Sequence, residues 1–348
     1  MSTQPPLRFA AIGLNHGHII GQTDILLEAG AQLVSYYAVE PELAAEYGQR
    51  YPQARLARCA EEILEDASIQ LIINAGIPCD RAPLGIRVMR HGKDYMTDKP
   101  GMTTFEQLAE VRRVHAETGR IYSVDFSERF HVRAAVKAGE LIQAGAIGRV
   151  LQVVILAPHL RRLATRPPWF FERAKYGGIL VDIGSHQFDQ VLFYTGSDRA
   201  EIVASQVGNL HHPEYPEFED FGDALVKGSG GLGYVRLDWF TPDGLGTWGD
   251  GRLFILGADG YIEARKYCDI GGQPGADHLF LVDHRGIQRL DCSATALLYG
   301  QQLIADVRNR TETAMTHAHC FLASELALEA EAKAIRVSDF EAGNSGAS

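Results

Sequence analysis

Positive charge is in short supply in this chain: 33 lysines and arginines stand against 44 aspartates and glutamates, a formal net charge of −11. Nucleic-acid affinity rests largely on neutralising phosphates with Lys and Arg, so no nucleic-acid partner is expected. Cysteine is scarce as well. The five present, Cys59, Cys79, Cys268, Cys292 and Cys320, are odd in number, scattered and without a CxxC pair. A disulfide framework and a thiolate zinc site therefore both lack support, and the thiols read as reduced and cytoplasmic. No window approaches the roughly 18 apolar residues that a membrane span requires. The opening Met1-Ser2-Thr3-Gln4-Pro5-Pro6 has neither the basic nor the apolar region of a secretory leader. Internal repeats and low-complexity tracts are absent too.

What is there is enough chain for two domains, since 348 residues exceed the usual size of one core. A content of 46% hydrophobic and 22% charged residues is that of an ordinary soluble protein. Short apolar runs at Arg8–Ile12, Gln32–Tyr37, Ala54–Ala57, Gln70–Asn74, Asp94–Met96 and Ile121–Asp125 read as strands. Helix candidates lie between them at His18–Glu28, Pro41–Arg50, Ala82–Arg90 and Thr104–Glu117. That alternation predicts an α/β fold whose N-terminal domain, 1–125, is a doubly wound parallel sheet of Rossmann type.

After Asp125 the pattern changes. Helix Val132–Ala144, strand Val150–Leu156 and a glycine-led helix from Gly178 come first; strands follow at Ile202–Val207, Asp223–Lys227, Gly233–Trp239, Leu253–Leu256, Tyr261–Ala264 and Leu279–Val282. Gly-rich turns between them predict an α+β domain, 126–348, with a large open, mostly antiparallel sheet. An open sheet face must be covered, and a second subunit is the economical cover, so a homodimer or homotetramer is expected. A helix at Ala318–Ala334 closes the fold, and the small polar tail Glu341–Ser348 is expected to fray.

The first turn, Gly13-Leu14-Asn15-His16-Gly17-His18, stands where a G-x-G-x-x-G phosphate cradle belongs. Only Gly13 is in register, with Asn15 and His18 at the other two glycine positions, and an ordinary strand-to-helix turn is an equal reading of this motif alone. The end of the second strand usually offers an acid to the adenosine ribose. Here that place falls on Ala38, with Glu40 two residues on. Glu40 has two readings, a ribose partner or a helix start with favourable dipole geometry. No arginine adjoins Ala38 to hold a 2′-phosphate, which tilts the expectation from NADP toward NAD.

Two further stretches carry chemistry. In Asp98-Lys99-Pro100 the proline forces Lys99 into extended backbone, at the end of a strand where open α/β sheets bind ligands. An exposed Lys-Pro turn is the plain alternative. In Gly177-Gly178-Ile179-Leu180-Val181-Asp182-Ile183-Gly184-Ser185-His186-Gln187-Phe188-Asp189, helical spacing puts Asp182, His186 and Asp189 on one face. A carboxylate one turn from an imidazole can orient it and raise its basicity. A satisfied core histidine and a divalent-metal set are the competing readings, and no metal is expected. Gly184 inside that helix suggests close packing. The basic patch Arg161-Arg162 with Arg166 reads most simply as a solvated loop.

At this point the chain resembles the glucose-fructose oxidoreductase/inositol dehydrogenase/rhizopine catabolism (Gfo/Idh/MocA) oxidoreductases. The likeness rests on Arg81-Ala82-Pro83-Leu84-Gly85-Ile86-Arg87-Val88-Met89-Arg90-His91-Gly92-Lys93, on Asp98-Lys99-Pro100, on Ala144-Gly145-Ala146-Ile147-Gly148-Arg149-Val150, and on Trp169-Phe170-Phe171 followed by Gly177 to His186. It implies hydride transfer between a sugar-like or cyclitol hydroxyl and NAD(P), with Lys99, Asp182 and His186 catalytic and either Lys99 or His186 the immediate base. It implies a cofactor site at Gly13, Leu14, Asn15, His16, His18, Ala38, Glu40, Asn74, Ala75, Gly76, Pro78, Asp98 and Lys99. His159 and Trp169 would join Asp182 and His186 at the sugar or polyol. The departures, Asn15, His18, Ala38, Gly76-Ile77-Pro78 and Arg81, all fall on the nucleotide side. Two other readings stay open: a cofactor-retaining enzyme that oxidises transiently for elimination or glycoside cleavage, and a sugar- or nucleotide-binding regulator without turnover.

Overall fold

Short strands separated by helices wind the first part of the chain into a parallel sheet. In this computed structural model, which describes residues 5–337, the order is β1 (Arg8–Ile12), α1 (His18–Glu28), β2 (Gln32–Tyr37), α2 (Pro41–Arg50), β3 (Arg55–Leu56), α3 (Ala60–Glu65), β4 (Leu71–Asn74), α4 (Pro78–Arg90), β5 (Asp94–Asp98), α5 (Phe105–Thr118) and β6 (Tyr122–Asp125). The sheet runs β3-β2-β1-β4-β5-β6 with every pair parallel. β4, β5 and β6 are buried along their whole length, because helices cover both faces of such a sheet. The strand order reverses between β1 and β4, and the crevice beyond their C-terminal ends is where open α/β sheets take ligands. α4 starts four residues before the predicted Ala82. Pro78 in the first turn, where no N–H is needed, lets the helix begin early.

The remainder comprises α6 (Ser127–Phe130), α7 (Arg133–Gln143), β7 (Val150–Pro158), α8 (Arg173–Tyr176), α9 (Ile179–Asp182), α10 (Gly184–Thr195), β8 (Ala200–Gly208), β9 (Phe221–Gly228), β10 (Leu232–Asp238), β11 (Arg252–Gly257), β12 (Gly260–Arg265), β13 (His278–Asp283), β14 (Gly286–Leu290), α11 (Tyr299–Asn309), α12 (His317–Lys333) and β15 (Ile335–Val337). Nine strands form one mixed sheet, β14-β13-β12-β11-β7-β10-β9-β8-β15. Only the β7–β10 and β8–β15 pairs are parallel. Val153, Ile155, Val235 and Leu253 are buried on its inner face. α10 lies close on that face: a Cβ at Gly233 would stand 2.6 Å from Val191. Gly184 also packs closely, since a Cβ there would meet Phe188 at 3.1 Å and Leu237 of β10 at 3.2 Å. The outer face carries Val154, Leu225, Tyr234 and Phe254, all partly or fully exposed. No helix among the described residues is long and apolar enough to cross a membrane.

The division into units differs from 1–125 and 126–348. Residues 5–126 together with 297–321 make one compact unit, and 127–296 with 322–337 make the other. The inserted piece holds to the first unit by specific contacts. Gly300 of α11 sits against α1, where a Cβ would be 2.5 Å from the Ile25 carbonyl oxygen. Tyr299 and Ser123 share a hydroxyl bond of 2.9 Å, and Arg310 clamps both oxygens of Asp94 at 2.7 and 2.8 Å. Such pairings are invisible in local periodicity. The tail Glu341–Ser348 lies outside the described residues.

Candidate active site

In the first unit the crevice is built from the turn after β1 and the turn after β4. Gly13 has φ +82°, and a Cβ there would stand 2.6 Å from Asn74 Nδ2 and 3.2 Å from Gly76 Cα, so the tight turn needs glycine. Backbone bonds lock the two turns together: Ala75 N–H donates to the Gly13 carbonyl at 3.1 Å and His16 N–H to the Ala75 carbonyl at 2.8 Å. Asn74 fastens three elements, donating to the Ile12 carbonyl and accepting from Gly76 N–H and the Thr97 hydroxyl. Leu14 and Ala38 are buried apolar packing, and Pro78 opens α4. Asn15 Nδ2 donates to Glu40 Oε1 at 2.8 Å. The residue at the second glycine position thus orients the acid beyond β2.

Asp98, at the end of β5, is the hub of the remaining departures. Its Oδ1 accepts from Lys99 N–H and pairs with His18 Nδ1, each at 2.8 Å, while Oδ2 accepts from Arg81 at 3.1 Å and lies 3.3 Å from His16 Nδ1. Burial alone would raise this carboxyl, but His18 and Arg81 outweigh it and hold the group well below the ordinary carboxylate range. Burial and the neighbouring His18 push the His16 imidazole down, so His16 is neutral near pH 7. The buried Arg81 also donates to the carbonyls of Gly76, Lys99 and Pro100. The donor atoms of His16, His18 and Asp98 lie within 4.8 Å of one another, a metal-like spacing, but the Arg81 guanidinium already supplies the cation that Asp98 requires. Lys99 is only 6% exposed, and its bond to Pro100 is cis; the exposed-turn reading of Lys99 therefore fails.

The crevice fits a dinucleotide. Gly17 opens α1 with free space where a Cβ would be, and the first turn of α1 carries neither an acid nor a side-chain cap.

In the second unit, the glycine-led run divides into α9 and α10 at Ile183, which keeps helical angles. Asp182 is half-buried and His186 is 2% exposed. Asp189 does not join them as a ligand: Arg129 holds both its oxygens at 2.6 Å, stacked over Phe130 and Phe193. That pairing removes Asp189 from the metal set. Arg166 departs from a solvated loop, lying over Phe170 and Trp239 at 4.3 and 4.9 Å from their ring centres and within the field of Asp182. Trp169 has its ring contact with Phe170. His159 is set between Trp239 and Trp248, with centroids 5.3 and 4.7 Å away. Nearby loops border a cavity of about 620 Å³, lined by Leu160, Arg161, Leu210, His211, Phe240 and Thr241 among others.

Four polar residues beside His186 escaped the sequence reading: Glu128, Gln187, Gln190 and Lys266, all buried. Glu128 accepts from Gln187 at 2.9 Å and from Lys266 at 2.8 Å. Lys266 donates also to Gln190 at 2.7 Å, and Gln190 donates to the His186 carbonyl at 2.9 Å. The signal for Glu128 was its place just after β6, in the short helix α6 that follows a strand end of the kind that binds ligands. Nothing local marks Lys266, which sits 138 residues away.

Residues 135–263 match the profile of the GFO/IDH/MocA C-terminal domain. A protein of Erwinia carotovora atroseptica SCRI1043 with a known crystal structure is 47% identical; the alignment covers 95% of this chain and 100% of that one, with a TM-score of 0.93. Levoglucosan dehydrogenase, solved with NADH and levoglucosan, shares the fold at a TM-score of 0.79 with 17% identity, over 94% of this chain and 98% of that one. The 1,5-anhydro-D-fructose reductase of Ensifer adhaerens is 25% identical over 205 residues, 55% of this chain and 60% of the reductase. The match thus spans less than two thirds of that relative's length.

Proposed function

The chain belongs to the GFO/IDH/MocA family of oxidoreductases, and on that premise we propose that it transfers a hydride between a sugar or polyol hydroxyl and a nicotinamide dinucleotide. The observation that carries this reading is a buried amine and a buried imidazole with a carboxylate four residues before the latter: Lys99 at the end of a parallel strand, and Asp182 and His186 on successive helices. A bound nicotinamide supplies the hydride acceptor. Lys99 or His186 takes the hydroxyl proton as the hydride leaves the same carbon, and Asp182 orients and charges its partner. Gly13, Asn15, His16, His18, Asn74, Ala75, Gly76 and Asp98 hold the dinucleotide, with Leu14, Ala38 and Pro78 shaping the crevice; His159 and Trp169 line the substrate side.

NAD is the favoured form. Asn15 fixes the Glu40 carboxylate beyond β2, where it suits a ribose hydroxyl and repels a 2′-phosphate. The substrate reading draws on levoglucosan and 1,5-anhydro-D-fructose, the compounds for which the similar proteins are named. The outer face of the nine-stranded sheet suits a second copy of the chain.

The test begins with calorimetric titration of NAD and NADP into protein shown by absorbance to carry no dinucleotide. NADH formation is then followed with levoglucosan, myo-inositol and D-glucose. NAD binding in the micromolar range and turnover of a member of this panel are expected. Binding of neither nucleotide would defeat the reading in favour of a regulator. Retained cofactor without net NADH would favour transient oxidation.

A further inference from the structure

The cavity of about 620 Å³ is lined wholly by the second unit, and its lining is richer in cations than in acids. Arg161 and Arg162 both line it, and among the described residues neither is paired with a carboxylate. The acid of the lining, Asp243, is exposed and bonds to neither arginine. In a chain of net charge −11, two guanidiniums without an acid in one cavity call for an anion from outside.

Arg161 is anchored from behind. Its Nη1 donates to His212 Nε2 at 2.5 Å. A guanidinium only donates, so Nε2 accepts, and His212 Nδ1 carries the proton given to Asp220 Oδ2 at 2.7 Å. His212 is 2% exposed and Asp220 fully buried. Asp220 accepts further from Leu210 N–H at 2.7 Å and His211 N–H at 2.8 Å, which fixes the loop that carries His212. With Nη1 taken, the edge of Arg161 formed by Nε and Nη2 remains. Neither atom has a partner among the described residues, and neither is shut off from solvent. That edge offers two parallel N–H bonds, the fork that matches two oxygens of a carboxylate or phosphate.

The surroundings suit a small carbon skeleton attached to that anion. Phe240 and Leu160 give the cavity an apolar wall, and backbone bonds hold it in place: Leu160 N–H donates to the Trp248 carbonyl at 2.6 Å and Thr241 N–H to the His159 carbonyl at 3.2 Å. Arg166 Nε donates to the Arg161 carbonyl at 2.9 Å, and the same guanidinium lies in the field of both Arg162 and Asp182. The arginine loop thus stands beside the helix that carries Asp182.

We propose that this cavity takes an anionic group of the substrate, so that the polyol oxidised bears a carboxylate or a phosphate, gripped side-on by Arg161 with Arg162 adding charge. This rests on the oxidoreductase reading above and names its substrate class; the anionic group passes through the hydride transfer unchanged. His212 is a positioning residue, acting through Arg161.

The test titrates D-glucuronate and D-glucose 6-phosphate, with D-glucose as the neutral counterpart, into wild type, Arg161→Met, Arg161→Lys and His212→Phe, with and without NADH. Thermal unfolding checks each variant, and NADH formation from NAD is followed with the same three compounds. On wild type at least one anion is expected to bind about tenfold or more tighter than D-glucose, the worth of a hydrogen bond to a charged group, by a margin that shrinks as salt is added. Tighter binding of glucuronate would identify a sugar acid, the reverse order a sugar phosphate. Arg161→Met should bring both anions to the level of D-glucose. Arg161→Lys keeps the charge without the fork and should retain part of the margin, which separates loss of the anion grip from loss of the fold. His212→Phe should narrow the ratio of anion to neutral affinity while leaving the Kd of D-glucose in place, a change that lost packing alone would not make. Equal affinity for anions and D-glucose on wild type, no binding of either anion, or an anion preference that survives Arg161→Met would overturn the substrate class; NADH formation from a neutral polyol would then keep the redox reading standing. Selective anion binding that is lost in Arg161→Met, with NAD neither bound nor reduced, would overturn the redox reading and leave the anion site in place.

Discussion

At the scale of single residues, the nucleotide crevice departs from a glycine-rich turn in a coordinated way. Asn15 pairs with Glu40, and His16, His18 and Arg81 converge on Asp98. Three of the departures, Asn15, His18 and Arg81, thus each pair with a carboxylate of the crevice. Gly13 alone has no substitute: Gly13→Ala should cost about 1–3 kcal/mol through strain at positive φ and weaken NAD binding, read by urea unfolding and calorimetry. Arg81→Met would leave Asp98 buried without its guanidinium, and a loss of about 3–5 kcal/mol is expected. A near-wild-type unfolding midpoint would show that His18 suffices. Glu40→Gln should narrow the preference for NAD over NADP, measured as the ratio of the two Kd values. For catalysis, Lys99→Ala should fold and bind NAD but lose most turnover; normal turnover would remove Lys99 from the proton chemistry.

At the scale of elements, the helix start that presents Asp182 and His186 is held by a carboxylate pair. Glu219 accepts from Ile179 N–H at 2.9 Å. Arg173 bridges Glu219 and Glu331. Gly178, at φ +102°, leaves room for Glu331, whose carboxyl atoms lie 2.3–2.6 Å from where a Cβ would be. Burial, then the Glu219 charge, pushes the Glu331 carboxyl up to about 8 against the pull of Arg173. The folded state therefore holds a proton that the unfolded state releases near pH 4 to 5. This group's contribution to stability is fullest below that range and declines as pH rises to about 8. Glu331→Gln should flatten the fall of Tm across pH 5 to 8 and raise Tm at the upper end; an unchanged slope would place the Glu331 pKa at its ordinary value.

At the scale of the whole molecule, the first unit is discontinuous in sequence. A fragment of residues 1–126 lacks α11, its Ile25 contact and the Arg310 clamp on Asp94. It should unfold at a lower Tm than the same fragment with residues 297–321 joined by a flexible linker, as calorimetry would show. Equal Tm values would mean that α11 adds nothing. The outer face of the nine-stranded sheet sets Val154 beside Tyr234 and Phe254 in register, an apolar row on a long open sheet. Val154→Glu with Phe254→Glu should shift an oligomer toward monomer in light scattering without lowering secondary structure by circular dichroism.

The sequence by itself determined the parallel α/β unit, the open second sheet, the strand-end position of Lys99 and the helical placement of Asp182 and His186. All of these follow from local periodicity, glycine and proline positions and motif order. β1, β2, α1 and α2 have the very ends that the hydrophobic runs imply, because each turns on a glycine, a proline or a change of period within a few residues. Only the tertiary structure decided what depends on partners distant in the chain. Arg129 claims Asp189 from 60 residues away and Lys266 fixes Glu128 across 138. α11 joins a unit that otherwise ends at residue 126. Local patterning reports the face a side chain presents. Which charge meets it there is set by how the chain returns, since a buried ion or carbonyl takes whichever donor the packing brings within hydrogen-bond reach.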